Sequence, residues 1–385
     1  MKITTFGEIL ELQRGYDLPA SAMVKGNIPV AGSNGVIGYH NVSKVQPPCI
    51  TVGRSGSVGK VHFYNKPIWA HNTSLFVSDF KGNNQKYIYY LLKSKNFAKL
   101  CDSSVVPSLN RNFVYPIKTL FEENKDKQQK IAAVLSALDD KIALNRRMNA
   151  KLEQMAKRLY DHWFVQFDFP NADGKPYKST GGKMVWNETL KREIPDGWEV
   201  GNLYDIAEYI NGLACQNYRP KESEKSLPVI KIREMNEGIT ADTEKVSASI
   251  PGKYRIYAGD ILFSWSASLE IKIWTGETGG LNQHIFKVIP KGYFSKGYVY
   301  QQLSAYLVNF QKMAESRKTT MGHITSDHIK QSRILIPPKE IISAFTKKTL
   351  SIFNYQLSIE KETQKLTALR DRLLPLLMNG QVNVI

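Results

Sequence analysis

The clearest pattern in the sequence is a strict heptad of seam positions in its middle. Alternating steps of four and three residues link Ile131, Leu135, Leu138, Ile142, Asn145, Asn149, Leu152, Ala156, Leu159 and Trp163. Such spacing places the side chains along one face of an α-helix, as in a coiled coil. It predicts a central coiled-coil helix over residues 121–168, in which the polar Asn145 and Asn149 fix the register of pairing. An ordinary long core helix is the alternative.

A second seam lies near the end of the sequence, where apolar residues recur at intervals of seven after a double proline. It predicts a distal coiled-coil helix and tail over residues 339–385. The two seams bury against each other, or each buries against another subunit, because neither has a different partner in the sequence. The residues that we expect to make this helix pairing are Ile131, Leu135, Leu138, Ile142, Leu152, Leu159, Ile352, Ile359, Leu366 and Leu373.

The two remaining long segments, residues 1–120 and 194–338, have a mixed pattern. Short runs rich in Val, Ile, Phe and Tyr are separated by turn formers, which indicates strands joined by tight turns. Around Tyr87 and again around Tyr298, the apolar spacing changes to that of a helix packed on a sheet. Residues 169–193 are predicted to be a linker from their content of Gly, Lys and Ser. The fold class is therefore α+β, with two mixed α/β domains and two long helices.

The two domains repeat each other. Residues 72–77 (NTSLFV) correspond to 282–288 (NQHIFKV), and residues 87–92 (YIYYLL) correspond to 298–303 (YVYQQL). The offset grows from roughly 210 to roughly 215 residues, as insertions in loops would make it. The sequence therefore contains one duplicated domain, and two similar domains imply two similar tasks.

Composition narrows the class of partner. Among the 385 residues, 52 Lys and Arg outnumber 35 Asp and Glu, which gives a net charge of +17. Such a charge favours a polyanion, and nucleic acid is the leading partner because neutralised phosphates release counterions. A basic surface that only keeps the protein in solution is the alternative.

Cysteine content and the lack of long apolar runs bear on location. Cys49, Cys101 and Cys215 lie too far apart in the sequence for a disulfide framework or a zinc knuckle, which fits a reducing compartment. No apolar run approaches the roughly 18 residues of a membrane span, and the first residues lack the apolar core of a signal peptide. We expect a cytoplasmic protein that does not enter a membrane.

Two segments resemble enzyme motifs but depart from them. Residues 53–60 (GRSGSVGK) look like a phosphate-binding loop, yet the spacing of the outer glycines is wrong, and Val61 stands where Ser or Thr would bind magnesium. Asp260, Glu270 and Lys272 follow the order used by metal-dependent nucleases, which is common by chance. No catalytic or metal-binding residue is predicted. A DNA-reading adaptor of an enzyme complex, a free-standing DNA-binding regulator and a metal-dependent nuclease remain as function classes.

Base reading requires loop side chains with paired hydrogen-bonding groups, chiefly Arg and Lys toward guanine and Asn and Gln toward adenine. The candidates in the first domain are Ser33, Asn34, Arg54, Ser55, Ser57, Lys60, Asn110 and Arg111. Those in the second domain are Arg233, Trp265, Asn282, Gln283, His284, Arg317, Lys318, Thr319, Thr320 and His323. Residues 317–320 are expected to contact phosphate, which positions a protein without specifying sequence. Structural roles remain open for Asn34 in a turn, Trp265 in the core and His284 in a strand.

The order of these segments resembles the specificity subunit of type I restriction-modification systems. The resemblance is carried by residues 29–41 (PVAGSNGVIGYHN), 52–59 (VGRSGSVG), 259–265 (GDILFSW), 280–286 (GLNQHIF) and 321–324 (MGHI). It implies two target recognition domains separated by two long helices that pack as an antiparallel coiled coil with pseudo-two-fold symmetry. Family members carry a lead-in before the first domain like that at residues 195–198, whereas this sequence starts at residues 1–7, so we expect the first domain to lack that contact.

The resemblance also implies the partners. Each domain would read one half of a bipartite, asymmetric site in double-stranded DNA, and the helices would dock methyltransferase subunits. Restriction and translocase subunits would join through the complex. S-adenosylmethionine, ATP and magnesium would belong to the partner subunits, and the chain itself would bind no cofactor and catalyse nothing.

Overall fold

The computed structural model describes residues 1–100, 108–266, 268–316 and 324–384. The chain divides into two compact units, Met1–Ala143 with Lys365–Ile385, and Leu144–Gln364. Each unit contains one mixed domain and a part of both long helices.

Within its described residues, the first unit contains nine strands, three complete helices and a part of each long helix. The strands are β1 (Lys2–Thr5), β2 (Glu11–Arg14), β3 (Ile28–Gly32), β4 (Gly35–His40), β5 (Cys49–Gly53), β6 (Val61–Tyr64), β7 (Trp69–Ala70), β8 (Ser74–Asp79) and β9 (Lys118–Phe121). The helices are α1 (Phe6–Ile9), α2 (Gln85–Lys93), α3 (Arg111–Val114) and the first part of α4 (Lys125–Tyr160), with 3-10 turns at Ala20–Ala22 and Phe97–Leu100.

The centre of the first domain is a four-stranded antiparallel sheet in the order β2-β8-β5-β6. Tyr87 and Leu91 of α2 share one buried core with Ile50 and Val77 of this sheet. Asn84 caps the helix, because its side chain accepts a hydrogen bond from the backbone N–H of Tyr87. The prediction of one helix packed on a sheet around Tyr87 is confirmed.

The second unit adds twelve strands and five further helices within its described residues. The strands are β10 (Met184–Asn187), β11 (Arg192–Pro195), β12 (Glu199–Gly201), β13 (Ala207–Asn211), β14 (Ser226–Ile230), β15 (Lys245–Ser247), β16 (Arg255–Ile256), β17 (Ile261–Ser264), β18 (Glu270–Ile273), β19 (Gly279–Leu281), β20 (Ile285–Pro290) and β21 (Ile334–Ile336). The helices are α5 (Leu203–Ile206), α6 (Ile232–Glu237), α7 (Lys296–Ser316), α8 (Ser326–Lys330) and α9 (Lys339–Met378). A π-helical turn covers Asp161–Val165, and 3-10 turns cover Lys178–Thr180, Cys215–Tyr218 and Gly252–Tyr254.

The strand order of the first domain recurs in the second. A four-stranded antiparallel sheet has the order β13-β20-β17-β18, which corresponds element by element to β2-β8-β5-β6. The parallel pair of β14 and β19 likewise corresponds to that of β3 and β7. Helix α7 takes the place of α2, and its buried Tyr298 and Phe310 lie in the same core as Phe263 of the sheet. The duplication inferred from the sequence is confirmed at the level of topology.

Within the second unit, α4 and α9 run antiparallel. The Asn145 side-chain amide donates to Glu362 at 2.8 Å, and that of Asn149 donates to Glu360 at 3.1 Å. The residue numbers of the partners on α9 therefore decrease as those on α4 increase, which is the pattern of an antiparallel pair. Asn145 is only 1% exposed, so its hydrogen bond lies in the buried seam between the helices.

The same orientation holds within the first unit. The Arg370 guanidinium donates to Asp139 at 2.8 Å. Leu135 of α4 and Leu377 of α9 share one buried core with the first domain. Helix α9 continues through Pro375 to Met378, although a proline removes one helical hydrogen bond and its ring crowds the preceding turn.

The residues expected to pair the helices all lie on covered faces of α4 and α9. The buried ones are Ile131, Leu135, Ile142 and Ile359. The half-buried ones are Leu138, Leu152, Leu159, Ile352, Leu366 and Leu373.

Residues 169–193, the predicted linker, carry ordered structure. Phe169 stacks on Tyr177 with ring centroids 4.6 Å apart, and on Trp198 at 5.3 Å. The β10–β11 hairpin follows in antiparallel register. Aromatic stacking therefore holds a segment whose composition alone suggested a flexible connection.

Candidate nucleic-acid interface

The first candidate cluster forms where the loop after β5 meets the turn between β3 and β4. The backbone N–H of Gly53 donates to Lys60, and that of Gly59 donates to Gly53, each at 2.8 Å, which closes the loop over residues 53–60. A Cβ atom on Gly53 would lie 2.1 Å from the Ser57 carbonyl oxygen, so only glycine fits there.

This loop lies against Ser33 and Asn34. The Lys60 ammonium donates to the Asn34 side-chain oxygen at 2.8 Å, and a Cβ on Gly56 would lie 3.5 Å from the Ser33 hydroxyl. The structure therefore brings Ser33, Asn34 and Lys60 together with Ser57 of the same loop. Asn34 and Lys60 are exposed, whereas Ser33 and Ser57 are half-buried.

Arg54 and Ser55 lie beside the turn before β8. Their backbone N–H groups both donate to the Thr73 carbonyl, at 2.8 and 3.2 Å, and the N–H of Leu109 donates to the Arg54 carbonyl at 2.8 Å. The Arg54 guanidinium makes one long bond, from Nη1 to the Asn72 carbonyl at 3.4 Å. The main chain of Arg54 is fixed on both sides, and in the described part of the chain one of the five guanidinium donors has a hydrogen-bond partner.

Asn110 and Arg111 bind the domain itself. The Asn110 side chain caps α3 by accepting a hydrogen bond from the Asn112 N–H at 3.0 Å. Arg111 donates to the Leu12 carbonyl at 3.1 Å. Both residues therefore have structural contacts that hold α3 in place.

Trp265 of the second domain has the main-chain contacts that Arg54 has in the first. Its N–H donates to the His284 carbonyl at 3.2 Å, and its carbonyl accepts from the Ile324 N–H at 3.0 Å. Its indole N–H donates to the Asn211 side-chain oxygen at 3.0 Å, and its ring centroid lies 5.5 Å from that of His284. Trp265 is half-buried and His284 is exposed.

The neighbours of Trp265 divide into supporting and accessible groups. Asn282 is buried, and its side-chain oxygen accepts from the His284 N–H at 3.3 Å, which stabilises the turn. Gln283 lies beside His284, with its Nε2 3.3 Å from the ring Nε2. Arg233 is exposed, but its guanidinium pairs with the buried Glu234 at 2.6 Å.

Five candidates lie outside the described residues. They are Arg317, Lys318, Thr319, Thr320 and His323.

The structure also adds residues that sequence reasoning missed. Asn72 and Thr73 contact Arg54, and Asn211 holds Trp265. Asn72 also donates to Asp17. The repeat is the signal that could have found them, because Asn72 and Thr73 occupy the positions of Gln283 and His284, which are base-reading candidates.

The His62 ring lies next to the first candidate cluster, beside the turn between β3 and β4. A Cβ atom on Gly35 would lie 3.6 Å from its ring. Burial lowers the pKa of His62, and the positive charges of Lys60 and Lys93 lower it further. The shift favours the neutral form of the imidazole next to this loop.

The residues that suggested a nuclease have other contacts. Asp260 accepts from the Tyr257 N–H at 2.9 Å and lies 3.5 Å from the Lys296 ammonium. Lys272 donates to the Met235 carbonyl at 3.3 Å. Across the described part of the chain, no group of three His, Cys, Asp or Glu side chains could hold a metal ion. Nor does any helix found there have the length and apolar content to cross a membrane.

Comparison with known proteins follows the same division into two halves. The family model described as the type I restriction modification DNA specificity domain matches residues 1–154 and 195–369. The HindI specificity subunit of Haemophilus influenzae is 29% identical over 311 residues, 67% of this chain and 68% of that protein. The MjaIX specificity subunit of Methanocaldococcus jannaschii is 25% identical over 339 residues, 85% of this chain and 76% of that protein.

The fold has a counterpart among solved structures. The S subunit of a type I restriction-modification system from M. genitalium superimposes with a TM-score of 0.62 at 15% sequence identity, covering 98% of this chain and 96% of that one. The match of the family model to both halves shows that the chain belongs to the type I restriction-modification specificity subunits, which are not themselves enzymes.

Proposed function

We propose that this specificity subunit reads a bipartite, asymmetric site in double-stranded DNA, with one recognition domain for each half-site. The observation that carries the proposal is the shared main-chain frame around Arg54 and Trp265. Each residue donates its N–H to the turn before a strand and accepts from a residue about 55–60 positions later, yet the two side chains differ completely. Two positions with the same main-chain contacts and different side chains fit two recognition domains of the same fold that read different bases.

The long helices supply a spacer for such a site. Helix α4 has 36 residues and α9 has 40. At 1.5 Å per residue they are about 54 and 60 Å long, more than the roughly 34 Å of one DNA turn. An antiparallel pair of this length is suited to hold the gap between half-sites constant.

The helices also carry apolar side chains that their own seam leaves uncovered. On α4, Leu144 is 43% exposed and Met155 is 55% exposed, and eleven residues, or three turns, place them on one face. On α9, Leu350 and Tyr355 are about half exposed. Exposed apolar groups on a rigid helix pair are suited to a protein partner, and we assign methyltransferase subunits to them.

The remaining partners follow from this assignment. Restriction and translocase subunits join through the complex, which acts on DNA in the cytoplasm. S-adenosylmethionine, ATP and magnesium belong to the partner subunits, and no step of base reading by this chain needs them.

The test is an exchange of domains in the methyltransferase complex. Residues 1–120 are replaced by the first domain of another family member, and the methylated sites are mapped genome-wide. We expect one half-site to change while the other half-site and the gap stay the same. The matched control replaces residues 194–338 and should change the other half-site. A change in both half-sites, or in neither, contradicts the proposal.

The spacer has its own test. One heptad inserted into both α4 and α9 adds about 10.5 Å, or about three base pairs, to the helix pair. The gap should lengthen while both half-sites remain. An unchanged gap with altered half-sites refutes the spacer.

Docking is tested by copurification. Met155→Lys places a charge in the exposed apolar face of α4 and should reduce recovery of the methyltransferase subunit. Arg146→Ala, at an exposed position nine residues away and so on the opposite side of α4, is the control. Equal recovery with both variants would show that the partner binds elsewhere.

A further inference from the structure

The two equivalent positions, Arg54 and Trp265, differ in chemistry as well as in size. Resting on the proposed function, we propose that the two half-sites are read in different ways. Arg54 hydrogen-bonds to the major-groove edge of a guanine in the first half-site, and Trp265 makes an apolar contact with the methyl group of a thymine in the second.

Arg54 retains the donors that guanine requires. A guanidinium has five N–H donors in a planar fork, and one of them makes the long bond to the Asn72 carbonyl. Throughout the described ranges, no carboxylate lies within 4 Å of the Arg54 guanidinium to form an ion pair. The side chain is half-buried in a fixed loop, so little rotational freedom is lost when it binds. A fork of this kind matches the paired O6 and N7 acceptors of guanine.

Trp265 has no comparable group to offer. The indole N–H is its single hydrogen-bond donor, and the Asn211 side-chain oxygen accepts it at 3.0 Å. The ring also lies against His284 and Phe286, with centroids 5.5 and 6.1 Å away. What the residue can present to DNA is therefore ring surface, held in one orientation. The thymine methyl is the apolar group of the major groove, and it distinguishes thymine from cytosine.

The main chain does not force this difference. Both residues donate their N–H to the turn before β8 or its equivalent β20, through Thr73 and His284. Both accept from a residue just before a short helix, Leu109 and Ile324. These contacts involve backbone atoms only, so they do not depend on which side chain occupies either position. The mode of reading is therefore set by one side chain in each domain.

The test uses base analogues in the intact complex with methyltransferase subunits. Once mapping of methylated sites has identified both half-sites, binding is measured to duplexes in which 7-deazaguanine replaces each guanine of the first half-site in turn. One replacement should weaken binding of the unaltered complex roughly ten-fold. The Arg54→Ala complex should lose sensitivity to that position. Lys118→Ala, at an exposed position on β9 outside the candidate cluster, is the control, and it should retain the sensitivity.

The second arm replaces each thymine of the second half-site with deoxyuridine, which lacks the methyl group. One replacement should weaken binding about four-fold, the amount that one buried methyl group contributes. Trp265→Ala should abolish this effect, whereas Trp265→Phe should retain it. If Trp265→Ala does not fold, Asn211→Ala serves in its place, because it releases the indole without removing the ring and should reduce the effect.

The outcomes separate this inference from the proposed function. A site that is not bipartite contradicts the proposed function itself. If the site is bipartite, two results overturn the inference and leave the proposed function intact. One is a first half-site without guanine. The other is an Arg54→Ala complex that binds every duplex equally weakly, as loss of a phosphate contact would cause. Persistent sensitivity to deoxyuridine in Trp265→Ala likewise refutes the role of the indole.

Discussion

Two glycines at equivalent positions, Gly15 and Gly212, offer a matched perturbation of the two domains. A Cβ atom on Gly15 would lie 2.1 Å from the His71 carbonyl oxygen, and one on Gly212 would lie 2.1 Å from that of Asn282. Ordinary contacts are longer by more than 1 Å, and in both cases the obstacle is backbone. Substitution by alanine must therefore push apart two segments that form the base of the reading loops.

The loss in free energy of unfolding follows from the hydrogen bonds that each substitution breaks. In the first domain, the Gly15 N–H donates to Ser74 at 3.0 Å, and the Tyr16 N–H donates to Ala70 at 2.7 Å. The equivalent bonds from Gly212 and its successor are both 3.1 Å long. Losing two backbone hydrogen bonds costs about 2–3 kcal/mol. In a unit of this size, that lowers the unfolding temperature by about 4–12 °C.

The assay combines thermal unfolding of the chain with binding of the complex to each half-site. Gly15→Ala should destabilise the first unit and weaken discrimination in the first half-site, while Gly212→Ala should do the same for the second. Gly252→Ala, where a Cβ meets no atom within 4 Å, is the control. Unfolding temperatures within about 1 °C of the unaltered protein for both variants would refute the reasoning.

Three further predictions concern the helix seam and the half-buried His62. Asn145→Leu should raise the unfolding temperature, because the Asn145 side-chain oxygen is buried without a hydrogen-bond partner in the described structure; a lower temperature contradicts this. Arg370→Met should lower the free energy of unfolding, measured by denaturant titration, by about 2 kcal/mol, because it removes the 2.8 Å bond to the half-buried Asp139. An unchanged free energy would mean that the ion pair has no net effect on stability. The folded-state pKa of His62 lies below its unfolded value, so the unfolded chain binds more protons and stability should fall as pH drops below about 6.5. His62→Gln should flatten this dependence in unfolding measured between pH 5 and 8, and an equally steep profile would exclude His62.

Much of the fold could be predicted from the sequence, because its strongest signals are periodic. The heptad from Ile131 to Trp163 predicts a long helix regardless of its surroundings, and the repeated phrases predict that the two domains share a topology. The ordered state of residues 169–193 could not be predicted from composition. It depends on the stacking of Phe169 on Tyr177 and Trp198, and stacking of aromatic rings across a turn produces no periodic pattern in the sequence.

The candidate site was predictable only in part, for a different physical reason. Asn34 and Asn282 look alike in the sequence, since each lies within two residues of a glycine. In the structure Asn34 is exposed and accepts a bond from Lys60, whereas Asn282 is buried and holds its own turn. Which way a short amide side chain points depends on the local backbone, and a single sequence does not encode that direction in any pattern. The same limit applies to Asn211, which is recognised only by its bond to Trp265.

The backbone-only contacts around Arg54 and Trp265 have a consequence for how this protein changes over generations. If Arg54 and Trp265 read bases as proposed, a single codon change at either position would alter what is read while the main-chain bonds that hold the loop remain. A new half-site can then arise by point mutation, with no exchange of whole domains. A cell lineage could thereby drift to a new methylation pattern in one step, while its other half-site and its spacing remain those of its ancestors.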